Sequence, residues 1–449
     1  MLSSRLPKDL SPSPFFAELE RTKAEVLVEC ANAGGRVGNV AELPFIDMTV
    51  SSPVKAGLPI DLNAAVDEGR KMFGNWNPDA AGWKSAREAV VEYYRERGGN
   101  FTAGQIILTA STSEAYSVLF KTFCDPGDVI LTPMPGYPLL DTLAQLEHLE
   151  CAPYFLSLRR ENARKIVTDE RRTKNVILSG AKNPVTSTFR FVLDTDSLLA
   201  APERAKILLL VSPHNPTGHC VSREEWNAAV RFCEENNMIL VVDEVFGDYA
   251  FSPEVRRSWE YVLDDRRKTI DESNIWDAGV GDFINLPEDG PKCPIFWLNG
   301  LSKAVGSPQL KLGWMAFYAP RERFEEIRAA LEFVEDAYLS VSAPAQALGI
   351  SLLPKADAYE ACVKERLLTN WQTLREAFPS KYCPEVLGGW YAVVRLGEDD
   401  EELTLRLLRE KHVLVQPGFF FDFDEDGWVV ISLLQEPSLF KQAIERMKQ

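Results

Sequence analysis

The feature that most restricts the fold is an alternation of short apolar runs with amphipathic segments, beginning near residue 105. The runs 105–109, 129–132, 207–211 and 238–242 have the length and composition of buried strands, and helical periodicity follows each of the first three. Such alternation is typical of a mostly parallel sheet with helices on both faces. The sequence therefore predicts an α/β fold in which ligands bind beyond the carboxyl ends of the strands.

The remaining pattern divides the chain into three predicted parts. Residues 1–59 are expected to form an N-terminal arm, 60–325 a large domain, and 326–449 a small α+β domain that the arm helps to complete. Two polar stretches, 157–190 and 253–293, lack clear periodicity, so we expect long surface excursions there.

Composition excludes several classes of partner. The formal charge of −17 argues against nucleic acid or an anionic membrane surface as the main partner. No apolar run has the length needed to cross a membrane, and the first residues lack the apolar segment of a secretory signal. We therefore expect a cytoplasmic protein.

Cysteine and histidine spacing gives no metal-binding pattern. The eight cysteines are scattered and include no C-x-x-C pair, which suits reduced thiols better than a disulfide framework or a zinc site. His214 and His219 flank a turn, where solvated or backbone-bonded histidines are the simpler expectation.

Four polar features follow predicted strands and would meet in one crevice. Ser111, Thr112 and Ser113 join a strand to a helix, where hydroxyls and free N–H groups can hold an anion. Asn215 follows the strand 207–211, and Asp243 ends the next one. Lys303 comes after the apolar run 295–298, and burial there would lower its pKa and favour a nucleophilic amine.

A phosphate-binding turn, an amide, a carboxylate and an amine together suit pyridoxal 5'-phosphate. The lysine can hold the aldehyde and later act as a base, while the carboxylate keeps the pyridine nitrogen protonated. The amide can donate to the phenolic oxygen. Taken alone, Lys303 is more simply explained as a surface lysine, so the argument rests on the whole set.

The ordered set resembles the class I and II aminotransferases of the fold-type I pyridoxal phosphate enzymes. The motifs are Asn215-Pro216-Thr217-Gly218, Asp243-Glu244-Val245 and Ser302-Lys303, and the resemblance extends from about residue 44 to the C-terminus. It implies a large domain with a mostly parallel mixed sheet and a small α+β domain. It also implies that Lys303 forms the Schiff base, that Asp243 meets the pyridine nitrogen and that Tyr137 stacks on the ring. The cofactor-binding residues that it implies are Ser111, Thr112, Ser113, Tyr137, Asn215, Asp243, Phe246, Ser302, Lys303, Lys311 and Trp76.

Four positions depart from the family pattern. Phe246 stands where a tyrosine usually bonds the phenolic oxygen, and Lys311 where an arginine usually forks onto the phosphate. Trp76 replaces a tyrosine that reaches the neighbouring subunit's phosphate. Val430 occupies the place of the arginine that binds the substrate carboxylate.

The vacant arginine position affects the prediction of substrate. Arg395 lies on a strand expected to pair with 428–434, so its guanidinium could reach that place, although a solvated cation at a strand end is an equal alternative. We predict that Arg395, Trp390 and Ser52 line the substrate pocket. A larger Michaelis constant for amino acids in Arg395→Ala would support that role.

The resemblance implies an aminotransferase that moves an amino group between an amino acid or related amine and a 2-oxo acid. The altered pocket leaves open elimination, replacement, cyclisation or decarboxylation with the same cofactor. A non-catalytic family member is a third alternative, disfavoured because Lys303 and Asp243 are both present. Family members usually form homodimers with shared active sites, so we expect a homodimer.

Overall fold

The computed structural model describes residues 3, 5–7, 11, 13–32, 44–75, 77–161, 188–252, 255, 257–267, 290–339, 341–397 and 399–448. The strands are β1 Ile46–Asp47, β2 Ile106–Thr109, β3 Val129–Met134, β4 Glu150–Glu161, β5 Thr188–Leu193, β6 Ala205–Val211, β7 Ile239–Asp243, β8 Ile295–Gly300, β9 Gly313–Tyr318, β10 Tyr391–Arg395, β11 Val413–Leu414, β12 Gln416–Pro417 and β13 Trp428–Ser432. The helices are α1 Pro14–Asn32, α2 Leu62–Gly69, α3 Lys84–Glu96, α4 Thr112–Phe123, α5 Leu139–Leu146, α6 Arg223–Glu235, α7 Ser258–Arg267, α8 Leu301–Ala304, α9 Arg321–Tyr338, α10 Ala343–Leu352, α11 Ala356–Ala377, α12 Asp400–Lys411 and α13 Pro437–Met447.

Eight of these strands form one large mixed sheet in the order β2-β9-β8-β7-β6-β3-β4-β5. The pairs from β8 through β7, β6 and β3 to β4 are parallel, whereas β9 and β5 run antiparallel to their neighbours. The prediction of a mostly parallel α/β sheet is confirmed. The parallel strands end at one edge, which places the residues that follow them side by side.

Helices cover both faces of this sheet, so its central strands are apolar on both sides. Along β6, Leu208 and Leu210 belong to one hydrophobic core, while Ile207 and Leu209 belong to the other. The second core is completed by residues of α4 and α9. A strand buried on both faces must be almost continuously apolar, which explains why these runs were visible in the sequence.

The C-terminal part contains two smaller sheets. β10, β13 and β12 form an antiparallel sheet, and β1 pairs in parallel with β11. Phe15 and Leu19 of α1 pack with Leu408 of α12. Helix α1 and strand β1 therefore contact the C-terminal part, while the division into an arm and two domains at 59 and 325 remains a prediction.

The two polar excursions are shorter than predicted. Residues 157–161 continue β4, 188–190 begin β5, and α7 lies within the second stretch. Residues 162–187 and 268–289 lie outside the described part of the chain. In the part that is described, no helix combines the length and apolar character needed to span a bilayer.

Candidate active site

The register of the large sheet brings the strand ends together. Asp243, the last residue of β7, pairs with Val211 of β6 on one side and with Leu298 of β8 on the other. Asn215 lies four residues beyond Val211, and Lys303 five residues beyond Leu298. Because the three strands are parallel, these side chains share one edge of the sheet, as predicted.

Lys303 lies on the single turn of α8, among aromatic rings. Its Nζ is 4.6 Å from the ring centroid of Trp390 and 5.4 Å from that of Phe246. Part of the residue still reaches solvent, but burial of the amine lowers its pKa to about 8, with Asp243 opposing the shift. The surrounding protein therefore favours the neutral, nucleophilic form of this lysine.

Asp243 is a buried carboxylate held by two hydrogen bonds. The hydroxyl of Tyr116 donates to Oδ2 at 2.5 Å, and the backbone N–H of Val245 donates to Oδ1 at 3.0 Å. Burial raises the pKa of Asp243, while these bonds and the charge of Lys303 oppose that rise. The carboxylate is oriented before any ligand binds, and a nearby cationic N–H group would favour its charged form.

Asn215 lies in a turn that buried histidines stabilise. Oδ1 of Asn215 is buried and has no hydrogen-bond partner in the described structure. Beside it, Nδ1 of His214 is 2.9 Å from Oγ1 of Thr217, and the backbone N–H of His214 donates to the carbonyl of His219. The two histidines are buried and their described side-chain contacts are to Thr217 and Glu225, so the expectation of solvated or backbone-bonded side chains was wrong.

The same turn is attached to α6 through a close contact between His219 and Glu225. Nε2 of His219 lies 3.1 Å from Oε2 of Glu225, which also accepts from the N–H of Ser222 as part of a capping box. Burial alone would raise the pKa of Glu225, but the bonds and charge of His219 and the backbone donors lower it to about 2. The position of Asn215 is therefore fixed by packed and bonded neighbours.

The N-terminus of α4 forms the second part of the site. The side chain of Ser111 accepts from the N–H of Glu114 at 3.2 Å, so it caps the helix. Thr112 and Ser113 form the first turn, whose N–H groups have no partner within the helix. A Cβ on Gly313 of β9 would lie 3.0 Å from the Ser111 backbone, so a larger residue there would push against the N-terminus of α4.

Ser302 and Lys311, which are both predicted to lie beside the phosphate, are separated by a short loop. Ser302 is half-buried in α8, one residue before Lys303. Lys311 is exposed, and its backbone is left-handed with φ of 54°. Its flexible amine can follow an anion without the paired geometry that an arginine would impose.

These groups fit pyridoxal 5'-phosphate. A helix N-terminus with adjacent hydroxyls suits its phosphate, and an oriented carboxylate suits its pyridine nitrogen. The orphaned amide end of Asn215 suits its phenolic oxygen, because rotation of the amide presents either an acceptor or a donor at the same place. The neutral amine of Lys303 suits its aldehyde.

Tyr137, predicted to stack on the ring, is about half exposed at 48%. Its hydroxyl is close enough to Tyr391 to add to the rise in pKa that burial causes in that residue. Tyr391 also bonds Ser51, the neighbour of Ser52. Tyr137 and the 51–52 turn thus lie around Tyr391, which contacts Phe246 with ring centroids 6.0 Å apart.

Sequence reasoning missed two tyrosines of the site. Tyr116 binds Asp243, and Tyr249 donates its hydroxyl to the backbone carbonyl of Lys303 at 2.6 Å. Tyr116 lies four residues after Thr112, so helical spacing could have placed it on the face of α4 above the strand ends. No comparable sequence signal identifies Tyr249.

The structure does not bring Arg395 to the other site residues. β10 pairs with β13 as predicted, with Tyr391 opposite Ser432 and Arg395 opposite Trp428. Arg395 is four residues from Tyr391, or about 13 Å along a strand, and forms an ion pair with Glu425. Trp390 does meet Lys303, whereas Trp76 lies outside the described residues.

Fold and site together define an enzyme of the pyridoxal phosphate-dependent type with a fold-type I arrangement. Comparison with solved structures agrees: an aminotransferase from Escherichia coli superposes with a TM-score of 0.72 at 18% identity, covering 100% of this chain and 97% of that one. At that identity the likeness establishes the fold. The family follows from the sequence comparisons.

The family model "Aminotransferase class I and II" matches residues 59–447, so the chain belongs to this pyridoxal phosphate-dependent family. It is 22% identical over 358 residues to a tyrosine aminotransferase from Caenorhabditis elegans, covering 78% of this chain and 65% of that protein. It is 23% identical over 406 residues to an S-alkyl-thiohydroximate lyase from Arabidopsis thaliana, covering 86% and 74%. The predicted family is confirmed, at low identity to these relatives.

Proposed function

We propose that this chain is an aminotransferase that transfers an amino group from an amine donor to a carbonyl acceptor, with pyridoxal 5'-phosphate held at the carboxyl edge of the large sheet. The position of Lys303 carries the proposal. Its amine lies over the ring of Trp390 and has a pKa lowered to about 8 by burial. About half of such amines are neutral at pH 8, and a neutral amine can hold an aldehyde and accept a proton.

The bound cofactor would supply an electron sink for the amine-bearing carbon of the substrate. In this proposal Lys303 holds the cofactor aldehyde and then moves the proton at that carbon. The bond from Tyr249 to the backbone carbonyl of Lys303 keeps α8 in place while the flexible side chain moves. Trp390 and Phe246 exclude water around the amine, which keeps its pKa low.

Two residues would control the charge of the cofactor ring. Asp243, oriented by Tyr116, would hold the pyridine nitrogen protonated. Asn215 would donate to the phenolic oxygen, for which Phe246 offers no hydroxyl. The exposed face of Tyr137 would stack on the ring.

The phosphate would bind at the N-terminus of α4, where Ser111, Thr112 and Ser113 supply hydroxyls and N–H groups. Ser302 and Lys311 would complete this part of the site from the other side. We further propose a cytoplasmic homodimer in which Trp76 reaches the partner's phosphate. Membership of the family supports the homodimer, and the eight scattered cysteines without a C-x-x-C pair support the cytoplasmic location.

Elimination from the same substrate position is the second candidate function. Two observations favour it: Val430 replaces the usual carboxylate-binding arginine, and one relative is named a lyase that acts on a sulfur compound. Transamination requires an acceptor and converts the cofactor to its amine form. Elimination releases ammonia and a carbonyl product without an acceptor.

Borohydride reduction followed by peptide mass spectrometry tests the role of Lys303. We expect the cofactor on the Lys303 peptide of the wild type and none in Lys303→Ala, with amino transfer lower by about 10³-fold or more. Lys84→Ala is the control, because that lysine lies on α3 with its side chain 76% exposed and paired with Glu88, and it should retain the label. A Lys303→Ala protein that transfers amino groups at the wild-type rate would contradict the proposal.

Release of ammonia in the absence of a carbonyl acceptor separates the two candidate reactions. The aminotransferase proposal expects conversion of the cofactor that stops after one equivalent of donor. Continued release of ammonia without an acceptor would instead support elimination.

A further inference from the structure

We infer that the substrate amine is carried by a carbon without a carboxylate, and that the rest of the substrate is apolar. This inference rests on the proposed function and specifies its substrate class. It follows from the side chains that surround Lys303 and from the composition of the sheet face that continues from them.

The walls nearest to the reactive amine are aromatic. Nζ of Lys303 lies over the ring of Trp390, which packs on Phe246 with centroids 5.4 Å apart and on Tyr249 with centroids 5.2 Å apart. Tyr391 meets Phe246 edge-on. Apart from Lys303, no cation among the described residues contacts the rings of Trp390, Phe246 or Tyr391.

The adjoining face of the small sheet carries two valines, and its one hydroxyl next to Tyr391, that of Ser432, donates to the carbonyl of Val50. Side chains alternate along β10 and β13, so Tyr391, Val393 and Val430 lie on one face, with Val393 opposite Val430. Val430 is 1% exposed and Val393 is fully buried. The next pair on this face is Arg395 and Trp428, where the guanidinium pairs with Glu425.

Three arginines elsewhere in the described part of the chain are also engaged. Arg97 and Arg257 both pair with Asp248, and Arg366 donates to the backbone carbonyls of Ala56 and Leu434. A carboxylate beside Tyr391 would lose part of its hydration, and none of the described residues on this face of β10 and β13 offers it an unpaired cation. An apolar group at the same position has no charge that needs a partner, and it can pack on the aromatic rings of Tyr391 and Phe246.

The balanced reaction for such a substrate is an exchange of nitrogen for oxygen. An amine R–CH₂–NH₂ loses one proton and the two electrons of a C–H bond from the amine-bearing carbon, gives up its nitrogen, and takes oxygen from water to become R–CHO. An aldehyde or ketone acceptor takes up the nitrogen, the two electrons and the proton, and its oxygen leaves as water. The same apolar wall favours an acceptor that also lacks a carboxylate beside its carbonyl.

Matched pairs that differ only in the carboxylate test this inference on the wild-type protein with its cofactor bound. The pairs are 2-phenylethylamine with L-phenylalanine, tryptamine with L-tryptophan, and isoamylamine with L-leucine. Each compound is titrated while the visible absorbance of the bound cofactor is followed. We expect an apparent Kd about tenfold or more lower for the amine in at least one pair, because a desolvated carboxylate lacks its charged hydrogen-bond partner.

A second measurement does not depend on turnover. Calorimetry with 3-phenylpropanoate, an unreactive carboxylate, should detect no binding to the wild type and binding to Val430→Arg, with Val430→Leu as the apolar control. If the arginine variant does not fold, the titrations of the wild type decide alone. Equal or tighter binding of the amino acid in all three pairs would overturn the inference and leave the proposed function intact. Failure of the wild type to bind the cofactor would instead overturn the proposed function.

Discussion

Asp243 ends strand β7 and Asp248 lies five residues beyond it, yet the two carboxylates differ in the number of cations that they contact. Asp243 accepts hydrogen bonds from Tyr116 and a backbone N–H, and burial raises its pKa. Asp248 pairs with Arg97 and Arg257; burial alone would raise its pKa, but Arg257 and Arg97 lower it to about 2. Asp243 is therefore bound by neutral hydrogen-bond donors, whereas Asp248 is bound by two cations.

Asp243 is available to bind a ligand, whereas Asp248 stabilises the folded protein. Asp248 also accepts from Tyr93 at 2.6 Å, and Tyr93 in turn accepts from Asn299 on β8, so its network is closed within the protein. Asp243 has no comparable network, and a protonated ring nitrogen would supply positive charge that favours its ionised form. We therefore expect substitutions at Asp243 to affect activity and substitutions at Asp248 to affect stability.

Asp243→Asn should produce the largest effect, a loss of kcat/KM of about 10²–10⁴-fold, comparable to removing a group that controls proton transfer. The amide cannot keep the ring nitrogen charged. The free energy of unfolding should not fall, because burial disfavours the charged carboxylate at this position. Steady-state kinetics and urea unfolding of the same preparation check both expectations. A variant that loses stability and activity together would remove the contrast with Asp248.

Asp248→Asn should lower the free energy of unfolding by about 3–5 kcal/mol, because it leaves Arg97 and Arg257 buried without their counter-charge. Urea unfolding measures the loss. Asp357→Asn is the control, because Asp357 pairs with the same Arg97 at 2.5 Å but is 66% exposed, and its loss should be below about 1 kcal/mol.

The pH dependence of stability gives an independent check on Asp248. A carboxyl with a lowered pKa stabilises the folded state above its unfolded pKa of about 4, and this stabilisation disappears as pH falls toward about 2. The wild type should therefore lose stability across that interval, and Asp248→Asn should lose less. Parallel curves for the two proteins would contradict the pairing.

The sequence predicted the charged half of the site more accurately than the apolar half. Lys303, Asp243 and Asn215 each follow a buried strand, and parallel strands place their ends together whatever the side-chain details. The second half of strand β4 was not predicted. Its residues 157–161 are polar, and they form a strand because they pair with β5, about 30 residues further along the chain.

Side-chain direction explains the remaining misses. Tyr116 meets Asp243 only because α4 packs across the sheet at a particular angle, which residue spacing does not specify. The alternation of side chains placed Arg395 on the correct strand, but its ion pair with Glu425 draws the guanidinium away from the site. The local sequence therefore predicts on which strand or helix each site residue lies, whereas its side-chain contacts depend on tertiary packing.

Tyr116→Phe should have a smaller, directional effect on the Asp243 side of the comparison. The hydroxyl lowers the pKa of Asp243, so its removal should raise that pKa and move the acid limb of the activity profile to higher pH by about one unit. Tyr154→Phe is the control, because it removes another buried hydroxyl, one that donates to the Leu209 carbonyl. An equal displacement of the acid limb in both variants would remove the specific role of Tyr116.

Arg395→Ala should produce the smallest effect, since its guanidinium is 36% exposed and its carboxylate partner Glu425 is 62% exposed. Such pairs contribute about 0–1 kcal/mol, so the free energy of unfolding should change by no more than that. A double-mutant cycle with Glu425→Gln measures the coupling, and the Michaelis constant for the donor should remain unchanged. A several-fold rise in that constant in Arg395→Ala alone would mean that the guanidinium leaves Glu425 for the substrate. The aliphatic pair Val393 and Val430 would then no longer define the substrate class.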